Sequence, residues 1–341
     1  MKTYNSIDVM KFILAILVIC IHTNPLQDVM PLINYGICQF LARIAVPLFF
    51  MASGFFLFLK MDFCKLDVLR IKKYILHVFR LYIIWSIIYI PLIYEDVMLK
   101  SSNINYNIAS EINNIIMGGS YLHLWFLKAL VSASILSAVF LLFKISKKNI
   151  IKVLIFLYAI ALIEHSYYGI YKYVINDYEV ISILISEWSN VIVTCRDGIC
   201  FGAIFFFLGA CISQNVKKNK MSIKYTKYMI ISWLGLLVEA IMVKAVGLIR
   251  VPDVYIMLIP TAYYTFIYIL NIRLEDSKLY FYLRKQSMFI FYTHALFIYI
   301  CRQYFIQIGH LGVFVFSVLA SIAVSHIMIK FNNNIIIKKI S

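Results

Sequence analysis

Charged residues are scarce in this chain, and the scarcity argues against an ordinary soluble fold. Asp, Glu, Lys and Arg make up 14% of the 341 residues, whereas 63% are hydrophobic. Soluble domains are about one quarter charged and about half apolar. A soluble fold of this size cannot bury so much apolar side chain. Lipid solvates apolar surface directly, so the composition predicts an integral membrane protein.

The sequence also lacks the short alternating segments of a membrane β-barrel. Its apolar runs are long and continuous, which favours membrane-spanning helices of roughly 20 residues each. We expect an all-α, polytopic protein with about ten transmembrane helices. The predicted spans cover residues 7–24, 35–59, 74–94, 121–143, 151–170, 191–213, 228–247, 254–271, 286–305 and 312–330.

Several chemical signatures are missing as well. None of the 7 cysteines forms a C-x-x-C pair and their number is odd, so we expect neither a disulfide framework nor a metal site. The chain has no glycine-rich phosphate loop, no H-E-x-x-H and no G-x-S-x-G. These absences argue against the soluble enzyme classes that such motifs mark.

Acidic residues are few, and the net charge is +16. The basic residues lie in short clusters between apolar runs, so they indicate membrane topology and contact with lipid headgroups, and no nucleic acid is expected. Of the 32 Lys and Arg residues, 22 fall in connections on one side of the predicted membrane and 4 on the other. This asymmetry predicts that both termini are cytoplasmic.

The first predicted span carries Lys11 and His22. Their separation of eleven positions corresponds to three helical turns plus about 20°, so both lie on one helix face, roughly 16 Å apart along the axis. With a cytoplasmic N-terminus, Lys11 lies near the inner surface and His22 toward the outer half. Ionisable groups within a span are costly and indicate function. In the alternative interpretation, Lys11 snorkels to the interface and His22 forms hydrogen bonds at the helix end.

Other polar side chains within the predicted spans are further candidates for substrate binding. Arg43 requires an anion or a carbonyl group, with a structural ion pair as the alternative. His123 opens the fourth span beside Trp125, where an ordinary interfacial role is also expected. Arg196 and Asp197 are adjacent and point about 100° apart, so each is expected to pair with another helix.

Two more candidates lie in later spans. Glu239 in the seventh span is a plausible counter-ion for a buried cation. His294 in the ninth span is a single histidine, for which packing or hydrogen bonding is the alternative role. The candidate set for substrate binding is therefore Arg43, His123, Arg196, Asp197, Glu239 and His294.

These segments together resemble the membrane acyltransferase family 3. The first motif of that family, Arg or Lys followed by ten residues and His, corresponds to Lys11 and His22. The similarity continues over the whole chain in residues 43–54 (RIAVPLFFMASG), 123–126 (HLWF), 196–199 (RDGI) and 291–294 (FYTH). The resemblance implies catalytic roles for His22 and Lys11, and acetyl-CoA or another acyl-CoA as the donor.

Within this family the chain is most similar to the membrane half of the membrane-bound serine racemases of vancomycin resistance. The segments that carry this similarity are residues 123–126 (HLWF), 195–201 (CRDGICF) and 235–239 (GLLVE). It implies a transmembrane domain over residues 1–330 and a cytoplasmic connection over 331–341 to a soluble racemase domain. It also implies a multi-pass protein of the bacterial cell membrane.

Two functions follow from the resemblance. In the first, the membrane domain takes up or presents L-serine for D-serine production, with an arginine holding the carboxylate and Asp197 or Glu239 holding the ammonium group. In the second, the chain transfers an acyl group to a small or envelope hydroxyl acceptor, and His22 is the general base. An inert membrane anchor is a third alternative, which the many charges within the spans disfavour.

Overall fold

The computed structural model describes residues 4–61, 63, 67–100, 119–121, 123–170, 198–217, 225–305 and 307–331, and for 96–100 it describes the backbone only. The longer helices are α1 (Asn5–Thr23), α2 (Pro31–Leu59), α3 (Val68–Ile88), α4 (Ile90–Lys100), α5 (Trp125–Leu142), α6 (Lys147–Glu164), α7 (Gly198–Lys217), α8 (Thr226–Ala245), α9 (Leu258–Asn271), α10 (Lys278–Tyr304) and α11 (His310–Lys330). No strand occurs in this part of the chain, so the all-α prediction is confirmed.

Each predicted span falls on one or more of these helices. Within the described residues, six helices are long and apolar enough to cross a membrane: α1, α2, α5, α7, α8 and α11. The protein is thus a polytopic helical membrane protein. The number of ten spans stays a prediction, because the remaining helices are shorter or carry more charge.

The first of two compact units comprises Met1–Ala52, Lys220–Ala240 and Met257–Ser341. In this unit α1 packs against α10 and α11, which also pack against each other. Apolar side chains of all three helices form one buried cluster. Its buried members are Ala15, Ile19, Ile290, Ile298, Cys301 and Val313.

Small residues allow the helices of this unit to approach closely. Ser317, Ser321 and Ser325 follow one another at four-residue spacing along α11, and all three are fully buried. Four-residue spacing places them on one helix face. Small side chains at such a face let neighbouring backbones come together, which is how helices gain packing contacts in lipid.

The segment between α1 and the middle of α2 is irregular. α1 ends at Asn24, which adopts the left-handed conformation (φ 50°). The buried Asn34 amide ties the turn together, donating to the side-chain oxygens of Asn24 and Gln27 while its own oxygen accepts from the N–H of Leu26. A π-helical turn and a 3₁₀ turn then precede Pro47. Proline cannot donate to the carbonyl four residues before it, and this accounts for irregular backbone at that point.

The second unit comprises Ser53–Asn219 and Ile241–Ile256. Here α3 packs on α5, while α7 packs on α5 and α6. Two glycines allow close approach of helix backbones in this unit, one on α2 and one on α7. A Cβ on Gly54 would overlap the backbone carbonyl of Phe206, and one on Gly198 would overlap that of Ala129. Backbone at this distance leaves no room for any side chain.

Replacing Gly54 with alanine should therefore destabilise the protein by about 1–3 kcal/mol, the usual cost of overpacking. Gly36→Ala is the matched control, because nothing lies within 4 Å of its Cβ position. That change should be neutral or stabilise the helix by up to about 1 kcal/mol. Thermal unfolding in detergent micelles measures both effects. Shifts of the same sign for the two variants would contradict the packing described here.

Candidate functional site

The pairing of α1 with α10 brings two histidines together. The rings of His22 and His294 stack with centroids 5.6 Å apart and an interplanar angle of 29°. His22 is half-buried, whereas only 1% of His294 is exposed. The two residues are far apart in the sequence, so the sequence alone did not predict that they form one site.

The orientation of the His294 ring is fixed by its own helix. Its Nδ1 lies 3.1 Å from the carbonyl oxygen of Ile290 and 2.8 Å from that of Phe291. Carbonyl oxygens only accept hydrogen bonds, so Nδ1 carries the proton and donates. In the neutral ring the lone pair is then on Nε2.

The end of α1 that carries His22 is held by side chains of α10 and α11. Arg302 Nη2 donates to the carbonyl oxygen of His22 at 2.9 Å. His310 Nδ1 bonds the carbonyl oxygen of Thr23 at 2.8 Å, and Asp28 Oδ2 accepts from the backbone N–H of His310 at 2.9 Å. The last carbonyls of a helix have no partner within the helix. These contacts satisfy two of them and fix the position of His22.

A charged group occupies the other end of α1. Only 5% of Asp8 is exposed, and its Oδ1 lies 3.6 Å from Arg284 Nε of α10. Lys11 follows Asp8 by one helical turn and interacts electrostatically with it. Asn5 Nδ2 donates to Asp276 Oδ1 at 2.9 Å, which ties the start of α1 to the connection that precedes α10. Lys11 and His22 therefore mark the two ends of the α1–α10 pair.

Arg43 lies in the same unit, within the 3₁₀ turn of α2. Its Nε and Nη2 both donate to Oε1 of Gln39, and the Nε bond measures 2.9 Å. The guanidinium keeps its positive charge in this contact with a neutral amide. Arg43 remains a candidate for binding an anion.

Glu239 has a structural partner. Its side chain is 9% exposed, and Oε2 accepts from the backbone N–H of Met257 at 2.7 Å. This N–H stands at the N-terminus of α9, where backbone donors lack helical partners and a carboxylate is favoured. The predicted role of Glu239 in substrate binding is untested, but one of its oxygens is committed to this backbone contact.

His123 belongs to the second unit. It is 2% exposed, and its ring meets Tyr89 edge-on at 5.2 Å and Tyr121 at 6.4 Å. The sequence-based set is thus divided between the units, with Lys11, His22, Arg43, Glu239 and His294 in the first. Arg196 and Asp197 lie outside the described residues.

The second unit contains a buried acid–base pair, His165 with Asp253, that was not predicted from the sequence. His165 Nδ1 lies 2.8 Å from Asp253 Oδ1, and both side chains are nearly inaccessible. The backbone N–H of Arg250 also donates to the carbonyl of His165. The pair joins the end of α6 to the connection before α9. No short-range motif signals it, because the partners are far apart in sequence.

The described residues contain no group of three or more His, Cys, Asp and Glu side chains placed to hold a metal ion. The polar groups of the α1–α10 pair are instead two imidazoles at one end and two cations around a carboxylate at the other. This arrangement can take up a proton near His22 and attract an anion near Lys11.

Comparison with known proteins finds one matching family and several curated relatives, and each match covers most of the chain. The model of the acyltransferase domain of acyltransferase family 3 matches residues 4–330. Two proteins of Enterococcus faecalis, each called an amino-acid racemase, are 31% and 28% identical over 281 and 269 residues. A serine/alanine racemase of Enterococcus gallinarum is 26% identical over 270 residues.

The matches cover 78–80% of this chain but only 36–37% of each racemase. The chain therefore spans just over one third of the length of these curated relatives. No solved structure matches the chain.

Glu239 provides a test of structural against substrate-binding roles. Glu239→Gln keeps an oxygen that can accept from Met257 N–H, so its stability should remain within about 1 kcal/mol of the wild type. Glu239→Ala leaves that donor without its partner and should destabilise by about 1–3 kcal/mol. Thermal unfolding in detergent compares the two. Equal stability losses would contradict the backbone contact as the main role.

Proposed function

The chain belongs to the acyltransferase family 3 of membrane proteins, and from that premise we propose that the α1–α10 pair is an acyl-transfer site. The donor is an acyl-CoA, and the acceptor is the hydroxyl group of a small molecule or an envelope component. The observation that carries the proposal is the stacking of half-buried His22 on His294 at 5.6 Å.

His22 is the general base. Its imidazole removes the proton of the acceptor hydroxyl as that oxygen attacks the carbonyl carbon of the thioester. The new C–O bond forms, the C–S bond breaks, and the CoA thiolate takes the proton from His22 as it leaves. The products are the acyl ester and free CoA, and His22 returns to its neutral form.

His294 and Arg302 position this base. With Nδ1 of His294 donating to carbonyls of its own helix, the ring is a fixed surface against which His22 packs. The Arg302 contact restrains the backbone at His22 itself. A base held in one place loses little freedom in the transition state, and this restraint contributes to the rate.

The donor enters from the side of the membrane on which the sequence places Lys11. Lys11 and Arg284 attract the phosphates of CoA. The axial separation of roughly 16 Å between Lys11 and His22 suits the long pantetheine arm of CoA, which would bring the thioester to the imidazole. Arg43 is the candidate for stabilising the negative oxygen that develops during attack.

Replacing His22 with alanine should lower acyl transfer by about 10²–10⁴-fold, the usual contribution of a general base. The assay supplies radiolabelled acetyl-CoA and a panel of hydroxyl acceptors, including L-serine, to the purified chain in nanodiscs. His326→Gln is the matched control, because this histidine is exposed and contacts Tyr282. Its activity should match the wild type.

Two results would contradict the proposal. One is the absence of both acetyl-CoA binding and turnover in the wild-type protein. The other is equal activity in His22→Ala and the wild type. Binding is measured by calorimetry, so a missing acceptor cannot be mistaken for a missing donor site.

A second candidate function is the handling of L-serine, and the racemase names of the relatives favour it. In this function the domain takes up or presents L-serine for conversion to D-serine in the context of vancomycin resistance. Arg43 would hold the carboxylate, and Asp197 or Glu239 would hold the ammonium group. We rank it second because Glu239 already accepts from Met257 N–H.

Serine transport predicts that proteoliposomes containing the chain accumulate labelled L-serine above empty liposomes. Arg43→Gln should then reduce uptake at least about tenfold, because it removes a charge-assisted bond to the carboxylate. Arg80→Gln is the matched control, since Arg80 is exposed and contacts His77 of its own helix. Uptake equal to that of empty liposomes would rule out this function.

A further inference from the structure

We propose that Arg284 of α10 is the principal phosphate-binding residue for the acyl donor, with Lys11 as its partner. The inference deepens the proposed acyl transfer and rests on it. The ligand class is a CoA thioester, recognised through its phosphate groups. In the sequence, Arg284 falls in the connection between the predicted spans 254–271 and 286–305.

The geometry places Arg284 at the first motif of the family. Its Nε lies 3.6 Å from Oδ1 of Asp8, and the same carboxylate interacts with Lys11. Asp8 is buried, whereas 48% of the Arg284 side chain is exposed. The Arg284 side chain thus contacts a buried carboxylate while about half of its surface remains accessible to a ligand.

The chemistry explains why an arginine is needed here. The ammonium group of Lys11 is a point charge without a planar fork. The contact between Arg284 and Asp8 joins Nε to Oδ1. The two terminal nitrogens of a guanidinium carry four of its five N–H donors, the arrangement that matches two phosphate oxygens. Arg284 can therefore make the bidentate contact with phosphate that Lys11 cannot make.

The charges support binding over a purely structural ion pair. Arg284 and Lys11 repel each other across the Asp8 carboxylate, and the three groups together retain one net positive charge. The Asp276 carboxylate, in the connection before α10, accepts a hydrogen bond from Asn5 at the start of α1. The group is arranged to attract an anion.

The test compares two donors and two cations. Wild type, Arg284→Gln and Lys285→Gln are reconstituted as full chains in phosphatidylcholine nanodiscs, and acetyl-CoA binding is measured by calorimetry. Lys285 is the matched control, because Arg284 and Lys285 both lie over the Phe281 ring, at 5.0 and 4.9 Å, while the Asp8 contact belongs to Arg284. We expect Kd to rise about tenfold to a hundredfold in Arg284→Gln. In Lys285→Gln it should rise less than about threefold.

A phosphate-free donor separates binding from structure. Transfer from the acetyl thioester of N-acetylcysteamine should be the same in Arg284→Gln and the wild type, because this donor has no phosphate to lose. Arg284→Lys keeps the ion pair with Asp8 but loses the fork, so its acetyl-CoA affinity should be intermediate. Introducing Lys11→Arg into Arg284→Gln should recover part of the lost affinity.

Four results would overturn the assignment. The first is equal loss with both donors, which indicates a structural role for Arg284. The second is an unchanged acetyl-CoA affinity in Arg284→Gln while the same variant binds phosphatidylglycerol, supplied in the nanodisc, more weakly than the wild type. That result would mean that Arg284 binds a lipid headgroup. The third is no acetyl-CoA binding in the wild type, which removes the proposed acyl transfer as well. Retained binding in the wild type with no change in Arg284→Gln removes only the role of Arg284.

Discussion

A polar group carried into lipid must find its partner within the protein, and this constraint organises α1. At one end the Asp8 carboxylate is buried against Arg284. At the other end the hydroxyl of Thr23 donates to the Ile19 carbonyl, and Arg302 donates to the carbonyl of His22. Each contact gives a polar or charged group of α1 a partner within the protein, and such groups are costly to leave alone in hydrocarbon. The helix is consequently fixed at both ends, and its polar face has a defined direction.

The close packing of α1, α10 and α11 brings side chains of α1 into direct contact with α10. The buried alanine, isoleucine and cysteine side chains of the cluster are compact, and the serines of α11 keep its buried face narrow. With α1 and α10 in direct contact, a side chain on each helix can meet ring to ring, as His22 and His294 do. The contact between the two imidazole rings therefore depends on the close packing of α1 against α10.

Long hydrophobic runs were sufficient to predict the helices, because a membrane segment must satisfy its own backbone. Helical periodicity also predicted that Lys11 and His22 share a face. The partners of these residues could not be predicted from the sequence, because Arg284 and His294 become neighbours of α1 only through tertiary packing. Glu239 shows the same limit: its sequence neighbours suggest a counter-ion, whereas its bond is to the N–H of Met257. The roles of the predicted site residues stay predictions until they are measured.

The difference between the two histidines favours proton transfer over simple coordination of a substrate. His294 is enclosed, and its Nδ1 is engaged with backbone carbonyls of α10, so rotating the ring would sacrifice those bonds. His22 is half-buried and lies at the end of its helix. In the proposed acyl transfer, a hydroxyl acceptor would reach the more accessible ring of His22, and His294 would form one wall of the site. Binding of an amino acid needs two opposite charges at fixed positions. In the first unit, the ion pair of Asp8 with Arg284 lies at the other end of α1 from His22. The separation of imidazole from charge along one helix suits a long donor with a phosphate head and a reactive thioester at its tip.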